Sequence, residues 1–518
     1  MNTNQYYSKG VKICFLVALT IVALFISIAI GDNYSTELSS SKANTKTVTA
    51  TLADSSRQIS ADLMCFNVNT TLVKSWKDRQ FLGAVEQLNS KLLRLPGGTV
   101  ASYWDWRKGG IIDDIGSLPE GLPRFLRFKA RNYTAGTLPE FQAGLEATNS
   151  TPIFVLNLLT SDLESQLEML KEARDLGMPI KYIELGNELY FNIENYKQVF
   201  PQPEDYASLA SEWTSTLKKE FPNAEIAVLG VVPEPEKPSR LQNWHRALFE
   251  GQNSTSADAV TLHIYTGQGL DDNQSSKSYP YFTRKDVPII LGEPFREWQT
   301  MREREAYKLI PKDRKIWLTE YNLMDRGVAG TRGQQYRVIG SWTHGLYTMA
   351  MSLLFLEEPR VEIMCNHVLI GNSRFAAILA DEKSLLDPDN KTSATPLSLS
   401  ATGSALQLLV DSTAGMSTAR QMNFSGNVNL KGKDSFRYPA LTGWVFSNDS
   451  QSKAVILNLS DRKFRIKSSD LFKGSASYEQ VFGKPRALVG EPQALKRKTG
   501  KINRSVVLPG YSVTKISK

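Results

Sequence analysis

Cysteine is nearly missing from this chain. Its three residues, Cys14, Cys65 and Cys365, cannot build a disulfide framework, and no Cys-x-x-Cys pair or histidine cluster supplies the ligands of a structural zinc. No internal repeat of fixed period occurs, and 34 Gly and 23 Pro are spread through 518 residues, which excludes solenoid, collagen-like and largely disordered architectures. An excess of one charge is lacking over most of the length. The formal net charge is +8, but two lysines sit in the first 31 residues, and nine basic residues against Glu491 alone fall between Lys484 and Lys518, so residues 32–483 sum to about −2. No aromatic residue interleaves with Lys496-Arg497-Lys498, so this basic tail reads as the solvated edge of a terminal β-domain, and no nucleic-acid partner is expected.

Long apolar runs are also absent, with one exception. Ile13–Ile30 holds eighteen residues without charge, follows Lys9 and Lys12, and leads into Ala29-Ile30-Gly31, with small residues where a signal peptidase reads. Residues 1–31 are expected to act as a signal peptide or a retained signal anchor, since eighteen residues are long for a signal core and just enough to span a bilayer. Either way the chain is exported, as a secreted, periplasmic or membrane-anchored protein whose bulk faces away from the cytoplasm. Eleven Asn-x-Ser/Thr sites, Asn458 among them, are glycan acceptors only in a eukaryotic secretory pathway. Nothing in the sequence sets the oligomeric state.

The remainder has ordinary globular composition, 41% hydrophobic and 10% aromatic, and length enough for one large α/β barrel with a smaller domain. After a polar linker at 32–46, β-type runs appear at Leu63–Val68, Lys91–Leu95, Pro152–Leu158, Ile180–Leu185, Glu225–Val231, Ala259–Ile264, Lys315–Thr319 and Val361–Val368. Between them lie helix candidates such as Asp78–Lys91, Leu163–Leu176, Tyr206–Glu220, Ser239–Phe249 and Gln334–Leu356. Eight Val/Ile/Leu-rich strands alternating with helices predict a closed parallel (β/α)8 TIM barrel over 61–411. Beyond Asp411, Gly443–Ser447, Ala454–Leu459, Lys463–Ile466, Ser477–Phe482 and Ser505–Ile516 follow one another without crossover helices and predict an antiparallel β-sandwich over 412–518, joined by a strand from 47–60. Cys65 and Cys365 then fall on neighbouring strands one and eight. Buried thiols are the expectation there, with a disulfide the alternative in an oxidising compartment.

A barrel of this kind carries its active site at the carboxyl ends of its strands. Strand two ends in Arg94-Leu-Pro-Gly-Gly98, strand three passes Asn157, and strand four ends in Glu184-Leu-Gly-Asn187-Glu188. Strand six carries His263 and Tyr265, strand seven ends in Thr319-Glu320-Tyr321-Asn322, and strand eight carries Asn366 and His367. Glu188 and Glu320 stand 132 residues and three strand steps apart, which puts two long carboxylates on opposite walls of one pocket. They are expected to approach to about 5 Å, the separation that suits double displacement at a glycosidic carbon. That chemistry needs one carboxyl protonated and the other ionised. Arg94 is the candidate to hold the nucleophile ionised, Tyr265 to donate a hydrogen bond to it, and Asn187 to grip a sugar hydroxyl. Trp104 and Trp106, in a loop after a strand end, read as an aromatic wall for a sugar, and His245 and His344 as structural.

Leu-Gly-Asn187-Glu188, Trp-Leu-Thr-Glu320 and His263-x-Tyr265 are together similar to the clan A glycoside hydrolases. Arg94-Leu-Pro-Gly-Gly-Thr99, followed by Trp104-Asp-Trp106, resembles most nearly the α-L-arabinofuranosidases of family 51 and the β-glucuronidases and heparanases of family 79. The resemblance covers about residues 47–518 and implies a barrel with a β-sandwich, Glu188 as acid/base and Glu320 as nucleophile. Strand eight offers Asn366 and His367 where many clan members place a tryptophan beneath the sugar. The expectation is a retaining glycoside hydrolase, without metal or cofactor, that cleaves an extracellular polysaccharide or glycoconjugate in the manner of an arabinofuranosidase or a β-glucuronidase. Its substrate would be bound by Arg94, Asn157, Asn187, His263, Tyr265, Trp104, Asn366 and His367. A carbohydrate-binding pseudoenzyme on the same scaffold is the alternative. An acidic sugar would demand a further cation, for which Arg326, Arg332 and Arg374 are the candidates.

Overall fold

The computed structural model describes residues 45–518 apart from 74, 128–135, 233–242, 252–253, 268, 271–281, 325–337, 372–374, 380–396, 468–473 and 488–493. The apolar run at 13–30 and the three candidate arginines at 326, 332 and 374 lie outside the described residues. Among the described residues no helix is long and apolar enough to cross a membrane.

Eight parallel strands close into a barrel: Met64–Asn67, Leu92–Leu95, Thr151–Val155, Tyr182–Glu184, Glu225–Leu229, Ala259–Thr266, Lys315–Leu323 and Val361–His367, hereafter barrel strands one to eight. Every strand has helices on its outer side, so these short segments are apolar on both faces rather than alternating. Their inward residues fill the barrel with one layer, Cys65, Leu92, Ile153, Tyr182, Ala227, Ala259, Trp317, Ile363 and Cys365. Side chains alternate along a strand, so the inward positions two residues further on include Asn67, Arg94, Glu184, Thr319 and His367. The apolar layer is therefore the floor on which the polar one rests. Cys65 and Cys365 are register partners on strands one and eight and are joined as a disulfide, the alternative to the buried thiols expected from sequence.

Helix starts follow local chemistry. Asp78 accepts a hydrogen bond from the Phe81 amide at the head of Arg79–Leu88, and Asp162 does the same for Ser165 at the head of Leu163–Asp175. Trp342–Phe355 is buried along its whole length, as an all-round apolar helix must be, and its indole Nε1 at Trp342 donates to the Tyr511 carbonyl of the second layer.

That second layer is a ladder of ten strands folded over one core. Lys46–Leu52 pairs antiparallel with Thr418–Ser425 and parallel with Phe464–Lys467, so the first described strand is stitched into the C-terminal sandwich. Ala454 and Ile456 point into the sandwich core while Val455 and Leu457 between them join the main core with the barrel's helices. The run read as one strand at Ser505–Ile516 is two, Ser505–Leu508 and Ser512–Ser517, broken at Pro509-Gly510. The basic tail forms the edge strand Leu495–Ile502, where exposed Lys496, Arg497 and Lys498 guard an unpaired edge. Asn458 is fully buried, donating to the Arg462 and Pro509 carbonyls, so folding removes it from the eleven glycan acceptors.

Because the disulfide closes the seam between the first and last barrel strands, replacing both Cys65 and Cys365 by alanine is expected to cost about 2–4 kcal/mol. Thermal unfolding under oxidising conditions checks this, and an unchanged midpoint would contradict it.

Candidate active site

The mouth of the barrel is organised around a buried cation. Arg94, on strand two, is 0% exposed and spends all five of its N–H donors inside the protein. Nε and Nη2 grip Glu184 at 2.6 and 3.1 Å, Nη1 reaches Asn67 Oδ1 at 3.0 Å and Glu320 Oε1 at 2.9 Å, and Nη2 also reaches Asn187 Oδ1 at 2.8 Å. One side chain thus ties strands one, two, four and seven together.

Glu320 takes its position from a bulge in strand seven. Between the pairs Thr261–Trp317 and His263–Glu320, strand six advances two residues and strand seven three; the other neighbour shows the same offset, from Leu318–Met364 to Tyr321–Asn366. Thr319 and Glu320 can therefore both aim into the barrel. Glu320 accepts from Arg94, from Asn67 Nδ2 at 3.0 Å and from the Tyr265 hydroxyl at 2.6 Å. Gly98 lies so close that a β-carbon there would meet Glu320 Oε1 at 2.5 Å. Burial works to raise the Glu320 carboxyl, but His367 and His263, both protonated in the acid range where the carboxyl titrates, together with Arg94 and the Tyr265 hydrogen bond, outweigh it and hold the group at about 2. Burial, and after it the Glu320 charge, pushes the Tyr265 hydroxyl well above its usual value, so it stays a donor.

Glu188 stands opposite, in the left-handed region at φ 49°, a strained backbone for a residue with a side chain. Its Oε1 meets His263 Nδ1 at 2.8 Å. His263 Nε2 in turn lies 3.1 Å from Thr319 Oγ1, whose hydroxyl donates to Glu184 Oε1 at 3.1 Å. Burial lowers the His263 imidazole, but Glu320 and Glu188 together more than compensate and raise it. The ligand atoms of Glu188, His263 and Glu320 lie within 4.8 Å of one another, the one group of three among the described residues that could hold a metal ion. Arg94, 2.9 Å from Glu320, sets a fixed positive charge against a metal cation at that spot.

Of the residues singled out from sequence, Arg94, Asn187, Glu188, His263, Tyr265, Glu320 and His367 come together here. Three do not. Asn366 points away from the barrel interior, because Cys365 and His367 on either side point in; it donates to the Tyr321 carbonyl and is fully buried. Asn157 is consumed by its own turn, donating to the Trp104 carbonyl and Thr160 Oγ1 and accepting from the Leu159 and Thr160 amides. Trp104 is 2% exposed, donates to the Gly136 carbonyl and packs on Phe141; with Trp106 it borders a different cleft, of about 380 Å³, beside Arg107 and Glu168. His245 and His344 are buried and bonded to Ala306 and Asn322. Asn67 and Thr319 are the residues that sequence reading passed over. The available signal was alternation, since each lies two residues beyond an inward core position, Cys65 and Trp317.

The depressed Glu320 value has a consequence for stability. An ionised Glu320 stabilises the fold above the ordinary carboxylate range, near pH 4.5, and that contribution is lost as the pH falls toward 2. Urea unfolding is expected to show the wild type losing more stability between pH 5 and 2.5 than Glu320→Gln, and equal losses would refute the assignment.

No protein-family model matches the chain. A probable α-L-arabinofuranosidase C from Aspergillus fumigatus is 25% identical over 170 residues, 29% of this chain and 32% of that protein, and the Aspergillus terreus counterpart is 23% identical over 41% and 44%. The chain therefore matches about a third to under half of the length of these curated relatives. Among solved structures, a family 51 α-L-arabinofuranosidase from Bifidobacterium longum superposes with a TM-score of 0.66 at 14% identity, over 92% of this chain and all of that one. The arabinose complex of the Thermotoga maritima α-L-arabinofuranosidase gives 0.62 at 16% over 91% and 100%, and a 4-O-α-L-rhamnosyl-β-D-glucuronidase from Fusarium oxysporum 0.56 at 12% over 92% and 100%. The chain thus resembles clan A glycoside hydrolases and shares the fold of the solved family 51 α-L-arabinofuranosidases, a (β/α)8 barrel with a C-terminal β-sandwich.

Proposed function

We propose that this protein is a retaining glycoside hydrolase of the α-L-arabinofuranosidase kind, exported from the cytoplasm and acting on a polysaccharide or glycoconjugate. The observation that carries the reading is the pair of carboxylates, Glu188 and Glu320, with oxygens within 4.8 Å of each other and only one of them clamped by a buried guanidinium. Inverting glycosidases hold their carboxyls farther apart to admit a water, whereas retaining ones hold them at about 5–5.5 Å.

In this chemistry Glu320, kept ionised by Arg94, attacks the anomeric carbon while Glu188 gives a proton to the departing oxygen. Glu188 then takes a proton from water, which displaces Glu320 and releases the sugar with its original configuration. A role for Asn187 in holding the sugar is supported by its Oδ1, fixed by Arg94, and its Nδ2, buried without a partner, a donor that a substrate hydroxyl would satisfy. All five Arg94 donors are already engaged, so it has none to offer a substrate carboxylate. The reading of a neutral sugar rests on the arabinofuranosidase neighbours. Export rests on the apolar run at 13–30 with its two preceding lysines.

Glu188→Ala tests the assignment through the leaving group. Without a proton donor, substrates with poor leaving groups are expected to lose on the order of 10²–10⁴-fold in rate, while activated aryl glycosides still complete the first step. The glycosyl intermediate on Glu320 should then accumulate, and added azide should restore turnover and give a glycosyl azide. A uniform loss along the leaving-group series, unrelieved by azide, would remove Glu188 from the role. Glu184 could not replace it, being fixed in its bidentate pair with Arg94.

A further inference from the structure

His367 closes the carboxyl end of strand eight beside the nucleophile, with its Nδ1 3.5 Å from Glu320 Oε2 and its side chain 23% exposed. Its closest polar neighbour is Asn67, whose Nδ2 lies 2.5 Å from that same Nδ1. Which partner donates is settled by atoms that have no choice. Arg94 Nη1 can only donate, and it meets Asn67 Oδ1 at 3.0 Å, so the oxygen of the amide faces strand two. The amide nitrogen must then face strands seven and eight, where it gives one hydrogen to the ionised Glu320 and its second to His367 Nδ1. A nitrogen that accepts is a nitrogen without a proton, so a neutral His367 carries its proton on Nε2. No group among the described residues is bonded to Nε2.

We propose that His367 is a specificity residue that presents an Nε2–H donor to a hydroxyl oxygen of the bound sugar, and that Asn67 is the positioning residue that sets this tautomer. The proposal rests on the glycosidase reading and names a hydrogen bond within it. Protonating His367 would set an N–H at Nδ1 against the Asn67 N–H, so this geometry favours the neutral imidazole around pH 7. The groups that face it are Asn67 on strand one, Glu320 on strand seven, the Tyr265 ring on strand six at 6.1 Å and the Phe375 ring at 5.9 Å, with Arg94, His263 and Glu188 beyond; the Glu320 and Glu188 charges favour protonation, and Arg94 and His263 oppose it. Burial, the largest influence, lowers its value below the usual imidazole range, in the direction of the neutral form.

With four histidines in the whole chain, ¹⁵N-histidine labelling resolves the tautomer directly. His367, assigned by its loss in His367→Phe, is expected to show a protonated Nε2 and a bare Nδ1 from pH 6 to 8. Asn67→Asp, which puts an acceptor opposite Nδ1, should transfer the proton to Nδ1. An imidazolium or an Nδ1–H form in the wild type overturns the proposal. The second arm uses 4-nitrophenyl glycosides and the monodeoxy analogues of the one cleaved fastest. Removing one particular hydroxyl should lower kcat/KM roughly 5- to 100-fold in the wild type and less than about 2-fold in His367→Phe, with the other deoxy penalties unchanged. If every penalty survives in His367→Phe, His367 does not touch the sugar. The spectrum needs no turnover, so a wild type that cleaves no glycoside would strike the glycosidase reading while the tautomer still decides the donor.

Discussion

A guanidinium buried without water is tolerable only if every one of its donors finds an acceptor and its charge finds a partner. Arg94 meets both conditions at once, with Glu184 as a bidentate counter-ion and Asn67, Asn187 and Glu320 as the remaining acceptors. The requirement runs in both directions. Each acceptor is a residue at the barrel mouth whose orientation would otherwise be free, and the fork of five fixed N–H directions removes that freedom. Asn67 and Asn187 in particular acquire a defined oxygen side and nitrogen side, which turns two ambiguous amides into directed donors.

Charge balance follows from the same centre. Arg94 neutralises Glu184 and shares itself with Glu320, which leaves the cluster one negative charge in excess before Glu188 is counted. That excess is why the His263 imidazole is raised despite complete burial, and why Glu320, which has the guanidinium in direct contact, is the carboxyl held ionised. His367 sits in the same field and yet moves the other way. Its ring meets a donor at Nδ1, and desolvation there outweighs the pull of the Glu320 charge. Two histidines a few ångströms from one carboxylate thus do different work, because one faces an acid and the other an amide N–H.

The scaffold supplies the rigidity this demands. An apolar layer and a disulfide lie directly beneath the polar layer, and the strand-seven bulge adds the extra residue that lets Thr319 and Glu320 both face inward. Among the described residues the sandwich contributes no partner to the polar cluster itself. It covers the helix Trp342–Phe355, whose outer side would otherwise leave a large apolar surface in water.

Much of this was legible in the chain. Alternating strand and helix patterns identify a parallel barrel because strands covered on both faces must be apolar throughout, and the loss of crossover helices after Asp411 marks the sandwich. Polar residues at the ends of such strands, Arg94, Glu188, His263, Tyr265 and Glu320 among them, stand out because nothing in a strand's own requirements calls for them. Local pattern does not decide which way a side chain points once a strand has ended or slipped. Asn366 was indistinguishable from His367 until the inward position of Cys365 set the parity of strand eight; Asn157 and Trp104 were claimed by their own loops; and the bulge that lets Glu320 face inward directly after Thr319 is a relation between three strands, invisible in any one. Composition and periodicity report the forces that act on each segment separately. The pairing of Asn67 with His367, 300 residues away, exists only because a closed barrel makes its first strand the neighbour of its last.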